Sequence, residues 1–120
     1  MINEVKLNSL YICVKDMQRA VDFYEKFLNQ KVTEYDELFS IFNINGFRFC
    51  LFNNSLVNEK AEWGHNCLPS FEVPNITELQ KKLKELKAEI VFPVTKIKQN
   101  WVLEFKDCEG NDIEVFSKID

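Results

Sequence analysis

The chain has 120 residues, of which 46% are hydrophobic and eleven are Phe, so it can bury one sizeable core. Its formal net charge of −4 and its pI near 5.1 exclude the basic stripe that nucleic-acid binding requires. No apolar stretch approaches the roughly 18 residues of a membrane span, and the N-terminus lacks a signal-peptide core. We therefore expect a cytoplasmic protein without membrane or nucleic-acid partners.

The first half of the chain predicts a strand, a helix and three further strands. The extended segments are Leu7–Val14, Lys31–Tyr35, Leu38–Ile44 and Phe47–Phe52. Asp16 is an N-cap residue for a helix over 17–28, whose apolar residues repeat at helical spacing. Asn45-Gly46 predicts a type I′ turn between the last two strands.

The second half repeats this order, with Asn75 as the N-cap of a second helix. Its strands are expected at Leu68–Val73, Glu89–Phe92, Trp101–Lys106 and Asp112–Phe116. Two registers support a duplication: Ser9 lies over Leu68, and Cys50 lies over Glu114. We predict one domain over residues 1–120, with module one at 7–53, a connector at 54–66 and module two at 67–118.

Alternation along the strands gives each module one apolar face and one mixed face. The mixed face is typical of a surface that lines a ligand cup. Our candidate ligand-binding residues are Ser9, Tyr11, Cys13, Phe39, Arg48, Cys50, Phe52, Glu72 and Glu114.

The four cysteines have no C-x-x-C spacing, so they match no zinc template and are expected to be reduced thiols. They are Cys13, Cys50, Cys67 and Cys108.

Two stretches of the sequence resemble motifs of a known protein family. Val14–Leu28 resembles the strand-turn-helix opening of the vicinal oxygen chelate superfamily, which includes glyoxalases, bleomycin-resistance proteins, fosfomycin-resistance transferases and extradiol dioxygenases. Asp107–Val115 resembles the closing D-P-x-G-N-x-I-E-L stretch of that family, with Cys108 in place of the usual Pro. The resemblance implies an α+β fold, in which two βαβββ modules related by a pseudo-two-fold axis form a cup-shaped sheet, and a homodimer.

In metal-using members of the superfamily, the first and last strands of each module supply four ligands. The resemblance carries these positions to Ser9, Cys50, Leu68 and Glu114. Leu68 has no donor atom and Ser9 is a weak ligand, so the set falls short of the three or four donors of a typical site. The only histidine, His65, lies three residues before the required position. We predict no metal cofactor, with a divalent metal as the alternative.

Several mixed-face residues have two interpretations. Glu114 is the one catalytic candidate, as a general base or a ligand acceptor, unless Arg48 or Tyr11 satisfies it. Arg48 could hold an anionic group in a bidentate fork, or pair with Glu114 or Glu72. Cys50, like Cys13, could be a nucleophile or simple packing. The aromatic residues either form a wall for a flat ligand or fill the cup.

Three classes of function remain. The first is a metal-free binder that sequesters a small molecule, as the bleomycin-resistance proteins do. The second is a metal-dependent lyase, isomerase, transferase or dioxygenase, which the missing ligands disfavour. The third is a structural or partner-binding module with a filled cup, which the burial of Arg48 and Glu114 disfavours.

Overall fold

The structure is a computed structural model that describes residues 7–58 and 68–119. His65, Cys67 and the end of the predicted connector lie outside the described residues. The helices are α1 (Met17–Leu28) and α2 (Ile76–Glu85), and a short 3-10 helix covers Asn54–Val57. The strands are β1 (Leu10–Cys13), β2 (Phe39–Ile44), β3 (Phe47–Phe52), β4 (Ser70–Glu72), β5 (Glu89–Ile97), β6 (Asn100–Lys106) and β7 (Asp112–Lys118).

The strands form two sheets, one in each module. Sheet one has the order β1-β3-β2, and sheet two has the order β4-β7-β6-β5. In both sheets the first strand of the module runs parallel to the last one. Tyr11 lies beside Cys50 in sheet one, and Ser70 lies beside Glu114 in sheet two. The predicted α+β fold of two repeated modules is therefore confirmed, with the register that sets Cys50 over Glu114.

The predicted strand Lys31–Tyr35 is wrong, because only Glu34 makes a bridge, to Ile41. The amides of Thr33 and Glu34 both donate to the carbonyl of Ile41, which prevents a regular ladder. The carboxylate of Asp36 then accepts hydrogen bonds from two amides of the next turn. Local side-chain bonds of this kind compete with strand pairing. Sheet one consequently has three strands rather than four.

The matching strand of module two is longer than predicted. β5 continues from the predicted Glu89–Phe92 to Ile97, and its register against β6 shifts twice on the way. It is one of the two edge strands of sheet two and contains Pro93, which an edge strand tolerates. The two modules therefore differ most in their second strand.

The local signals for the helices and the hairpin are confirmed. The carboxylate of Asp16 accepts from the amide of Arg19, and the side chain of Asn75 caps α2. Asn45 and Gly46 have φ angles of 52° and 88°, the left-handed pair that a type I′ turn needs. No helix among residues 7–58 and 68–119 is long and apolar enough to cross a membrane.

Helix α1 lies between the apolar faces of the two sheets. Its Tyr24 ring packs against Phe49 of sheet one, with the ring centroids 5.2 Å apart. One turn later, its Phe27 ring packs against Phe71 and Phe105 of sheet two, at 5.3 Å from each. One hydrophobic cluster joins both helices and both sheets. The mixed faces of the two sheets therefore point away from this core, on different sides of α1.

A buried polar junction also joins the modules, in the loop between β6 and β7. The carboxylate of Asp107 accepts from the Tyr24 hydroxyl at 2.6 Å and from the amides of Glu109 and Asn111 at 2.8 Å. The Asn111 side chain donates to the carbonyl of Cys13 at 2.9 Å. Hydrogen bonds from the Asp107–Val115 stretch thus connect module two to β1 and α1 of module one.

Glu109 completes this junction from the same loop. It accepts from the amide of Lys15 at 2.6 Å and pairs with the Arg19 guanidinium at 2.5 Å. The Glu109 side chain is fully buried, and the Arg19 side chain is 54% exposed. The Glu109 carboxylate is therefore desolvated, and the charge of Arg19 offsets the cost of burying it.

Candidate functional site

We call the mixed face of sheet one the aromatic face. It comprises Ser9, Tyr11, Cys13, Phe39, Ile41, Asn43, Arg48, Cys50 and Phe52. Three of its rings contact one another: the Tyr11 centroid lies 6.0 Å from that of Phe39 and 5.2 Å from that of Phe52. Half of the Tyr11 surface is exposed. Three of the four rings predicted as an aromatic wall therefore cluster on a surface that no part of the described chain covers fully. The fourth, Phe116, lies in β7 of sheet two.

Strand register orders the aromatic face into three rows. Phe52 lies between Cys13 and Phe39, and Cys50 lies between Tyr11 and Ile41. In the third row Arg48 lies opposite Asn43, and Ser9 precedes the first paired residue of β1. The face is consequently apolar at one end and polar at the other.

The polar end contains a buried donor without an acceptor. Among the residues that the structure describes, Arg48 Nε is the buried side-chain nitrogen or oxygen atom that lacks a hydrogen-bond partner. Its neighbour across β2 is Asn43, which is neutral. Leaving a buried donor unpaired costs about 1–3 kcal/mol, more when the donor is charged. A site that must accept a ligand gives a physical reason for tolerating this cost.

Cys50 forms the floor of the aromatic face and is fully buried. Burial raises the pKa of its thiol above the ordinary value of 9.0, against the opposing effects of Arg48 and of a hydrogen bond with Ser9. A thiol in this state is protonated at neutral pH and is a poor nucleophile. The packing interpretation of Cys50 is the one that these surroundings favour.

We call the mixed face of sheet two the acidic face. It comprises Ser70, Glu72, Glu104, Lys106, Asp112, Glu114 and Phe116. The Ser70 hydroxyl donates to Glu114, and Lys118 pairs with Glu72 at 3.7 Å. These partners differ from the Arg48 and Tyr11 that the sequence suggested. Both carboxylates thus have neighbours within their own sheet.

Sequence reasoning missed Glu104, a member of the acidic face. Glu104 lies directly opposite Glu114 in the ladder, and Ser70 lies beside Glu114 on its other side. Like charges in directly opposed positions destabilise a sheet, so this pair favours a bound donor or cation. Alternation over Trp101–Lys106, combined with the register of β7, was the signal that could have found Glu104.

Within one chain, the aromatic and acidic faces do not meet, because α1 and the apolar faces lie between them. The sequence predicted that Ser9, Cys50, Leu68 and Glu114 converge. The structure instead gives two separate pairs, Ser9 with Cys50 and Ser70 with Glu114. A cup built from both modules therefore needs two copies of the chain.

The residues present do not fit the divalent metal of the superfamily's enzymes. Residues 7–58 and 68–119 contain no group of three or more His, Cys, Asp or Glu side chains placed to hold a metal ion. Cys50 is a buried thiol and Glu114 lies on the other sheet. The four positions that the resemblance carries over supply one carboxylate, which is too few donors for such a site, so no step of a reaction is derived through a metal.

Two apolar cavities lie elsewhere, along β4. One of about 590 Å³ is lined by residues such as Phe27, Ile44 and Leu79, and one of about 500 Å³ by residues such as Leu10 and Phe49. Their walls combine core side chains with polar and exposed residues from both modules. We interpret them as the seam between the modules rather than as the ligand site, because the unpaired donor Arg48 lines neither.

Known structures share this fold across nearly the whole chain. A glyoxalase-related enzyme from Fulvimarina pelagi is 13% identical, with a TM-score of 0.78 over 94% of this chain and 88% of that one. A glyoxalase/bleomycin resistance protein/dioxygenase family enzyme from Burkholderia phytofirmans is 12% identical, with a TM-score of 0.77 over 96% and 100%. Lactoylglutathione lyase from Agrobacterium tumefaciens is 12% identical, with a TM-score of 0.69 over 95% and 94%.

These identities establish the fold alone. No curated protein matches the chain significantly. The model of the Glyoxalase/Bleomycin resistance protein/Dioxygenase superfamily matches residues 6–115. The match includes both stretches that carried the sequence resemblance and both modules of the structure. The chain belongs to the glyoxalase/bleomycin resistance protein/dioxygenase superfamily.

Proposed function

We propose that this protein binds a small organic molecule on the aromatic face and does so without a metal. The observation that carries the proposal is the buried, unpaired Arg48 Nε beside a cluster of partly exposed rings. Large exposed apolar surfaces usually mark an interaction site, and a small number of polar groups then orient the ligand. The aromatic face supplies both features on one sheet surface.

The binding site is completed by a second copy of the chain. The two mixed faces lie on different sides of α1, so the aromatic face of one copy meets the acidic face of another around a two-fold axis. β1 and β4 support this arrangement, since each is an edge strand of its sheet. The resulting homodimer encloses two equivalent cups.

Sequestration of the bleomycin-resistance type is the form of binding that we favour over catalysis. The donor set does not fit a metal, and the buried Cys50 thiol is a poor nucleophile. A metal-dependent enzyme of the superfamily is the second candidate, and the Glu104–Glu114 pair is the observation in its favour. A protein-binding module is disfavoured because a partner surface on the aromatic face would have to supply a counter-ion for Arg48.

The test uses ligand-observed NMR and thermal melting with a panel of aromatic compounds that includes metal-free bleomycin. We compare the wild-type protein with Tyr11→Ala, which removes a half-exposed ring from the aromatic face. Phe47→Ala is the matched control, since Phe47 is 45% exposed and has the opposite facing in the alternation of the same sheet. Binding lost in Tyr11→Ala and kept in Phe47→Ala supports the proposal.

Two results would contradict it. One is a panel in which no compound binds the wild-type protein. The other is binding that Tyr11→Ala leaves unchanged. Light scattering tests the assembly separately, because a mass equal to the 14.2 kDa chain across the micromolar range excludes the two-copy cup.

A further inference from the structure

We infer that the ligand is an aromatic acid: a flat aromatic body with a carboxylate that Arg48 binds. This inference rests on the proposed function and adds the chemical class of the ligand. It follows from the order of the three rows on the aromatic face, which places a cationic donor at one end and rings at the other.

The first step concerns the charge of the recognised group. Within residues 7–58 and 68–119, Arg48 forms no ion pair, whereas Arg19, the other arginine, is bound to Glu109. The residue opposite Arg48 is Asn43, and the residue two positions along β3 is Cys50. On the aromatic face of one copy, the described residues thus provide a cation without a counter-ion. An anionic ligand group can supply a counter-charge directly beside Arg48.

The second step concerns the geometry of that group. A guanidinium offers parallel N–H donors that match the two oxygens of a carboxylate. In Arg48 the Nε donor is buried and unsatisfied, so none of the described residues competes with a ligand for it. A lysine at the same position would offer a point charge instead of a fork. The residue type therefore favours a planar oxoanion over a spherical anion.

The third step concerns the size of the apolar body. Consecutive rows on one face of a strand are about 6.6 Å apart, at about 3.3 Å per residue. Tyr11 lies one row from Arg48, while Phe39 and Phe52 lie two rows away. A carboxylate on a bicyclic ring system spans these rows. Its ring edges can meet the three aromatic side chains in the edge-to-face geometry that they already adopt with one another.

The experiment measures the affinity of 2-naphthoate and of its neutral isostere 2-naphthamide by calorimetry. The wild-type protein should bind the naphthoate about tenfold or more tightly than the amide, because a charge-assisted fork adds to ring burial. Arg48→Gln should remove this preference, so that the two compounds bind with similar affinity. Arg48→Lys should retain only part of the preference. Lys81→Gln, which removes a charge that is 70% exposed on α2, is the matched control.

The outcomes separate this inference from the proposed function. Equal affinity for the two compounds in the wild-type protein overturns the aromatic-acid inference. So does a preference for the naphthoate that survives in Arg48→Gln. In either case, loss of both ligands in Tyr11→Ala leaves the proposed function standing. If neither compound binds the wild-type protein while cationic or neutral compounds of the panel do, the inference fails alone. If nothing binds, both fail. Thermal melting of each variant confirms that it is folded.

Discussion

Two polar regions of this protein are both partly buried, yet they differ in how fully their groups are paired. At the junction, Asp107 accepts hydrogen bonds from four donors. Glu109 accepts from the amide of Lys15 and pairs with the guanidinium of Arg19. On the aromatic face, Arg48 Nε has no acceptor among the residues that the structure describes. A network in which every polar group is hydrogen-bonded stabilises one structure. A buried donor without a partner needs an explanation, and a ligand that binds to it is one. In our proposal, the degree of pairing therefore distinguishes the structural junction from the ligand-binding face.

The largest expected effect is at the centre of the junction. Asp107→Ala leaves the Tyr24 hydroxyl and buried amides without their hydrogen-bond acceptor. We therefore expect a loss of roughly 3–5 kcal/mol in the free energy of unfolding. Urea denaturation measures it. Asp22→Ala is the control, because the Asp22 carboxylate accepts one exposed hydrogen bond from Gln18 and its loss should cost about 0.5 kcal/mol or less. A similar cost for both variants would contradict a structural role for the junction.

The two arginines offer a more direct comparison. Arg19→Met leaves the buried Glu109 carboxylate without its counter-ion and should cost about 1–3 kcal/mol. Arg48→Met removes an unpaired buried donor and keeps an unbranched apolar stem. It should leave stability within about 1 kcal/mol of the wild type or raise it. Urea denaturation of both variants checks this. A large loss in Arg48→Met would show that Arg48 holds the fold rather than a ligand.

The junction also predicts a pH dependence above neutrality. Burial, followed by the charge of Asp107, raises the pKa of Tyr24 well above 10.0. Burial, followed by the charges of Asp107 and Glu109, raises the pKa of Cys108 to about 12. Both groups keep their protons in the folded state at a pH where the unfolded chain loses them. Their contribution to stability is therefore complete below about pH 9 and is lost as the pH rises toward 12.

Unfolding free energies between pH 8 and 11 check this sign. The wild-type protein should lose stability over that range. Cys108→Ser should flatten the slope near pH 9, and Tyr24→Phe should flatten it nearer pH 10 and above. The double variant Cys108→Ser, Tyr24→Phe combines the two changes. If its stability fell with pH as steeply as that of the wild-type protein, the loss could not be assigned to the junction.

The smallest expected effect is that of metal. Adding zinc or nickel should leave the melting temperature of the wild-type protein nearly unchanged, since tight binding to the folded state would raise it by mass action. The double variant Ser9→His, Leu68→His should gain metal affinity if these positions meet Glu114 across the proposed dimer. Stoichiometric metal in the wild-type protein, lost in Glu114→Gln, would overturn the metal-free assignment.

Local signals in the sequence were sufficient for the helices, the hairpin and the content of the aromatic face. Asp16, Asn75 and Asn45-Gly46 act through bonds to near neighbours, and alternation alone placed Tyr11 with Phe39 and Phe52. Alternation has this power because one backbone geometry sets the facing of every residue in a strand.

Distant contacts were not predictable in the same way. The bond between Tyr24 and Asp107 joins residues 83 positions apart, and no local pattern encodes it. The failure at Lys31–Tyr35 arose from side-chain bonds of Asp36 and Ser40 that compete with the ladder. The position of α1 between the two sheets depends on which rings pack together, which a single sequence does not specify.

The placement of the two faces on different sides of α1 has a consequence for polymerisation. Two surfaces that are complementary but lie on different sides of one molecule form a head-to-tail contact. Such a contact closes into a dimer only if the aromatic face of each copy meets the acidic face of the other. A substitution that tilts the contact away from the two-fold axis leaves one free surface at each end, and copies can then add without limit. In such a variant, open-ended fibres would replace the closed pair.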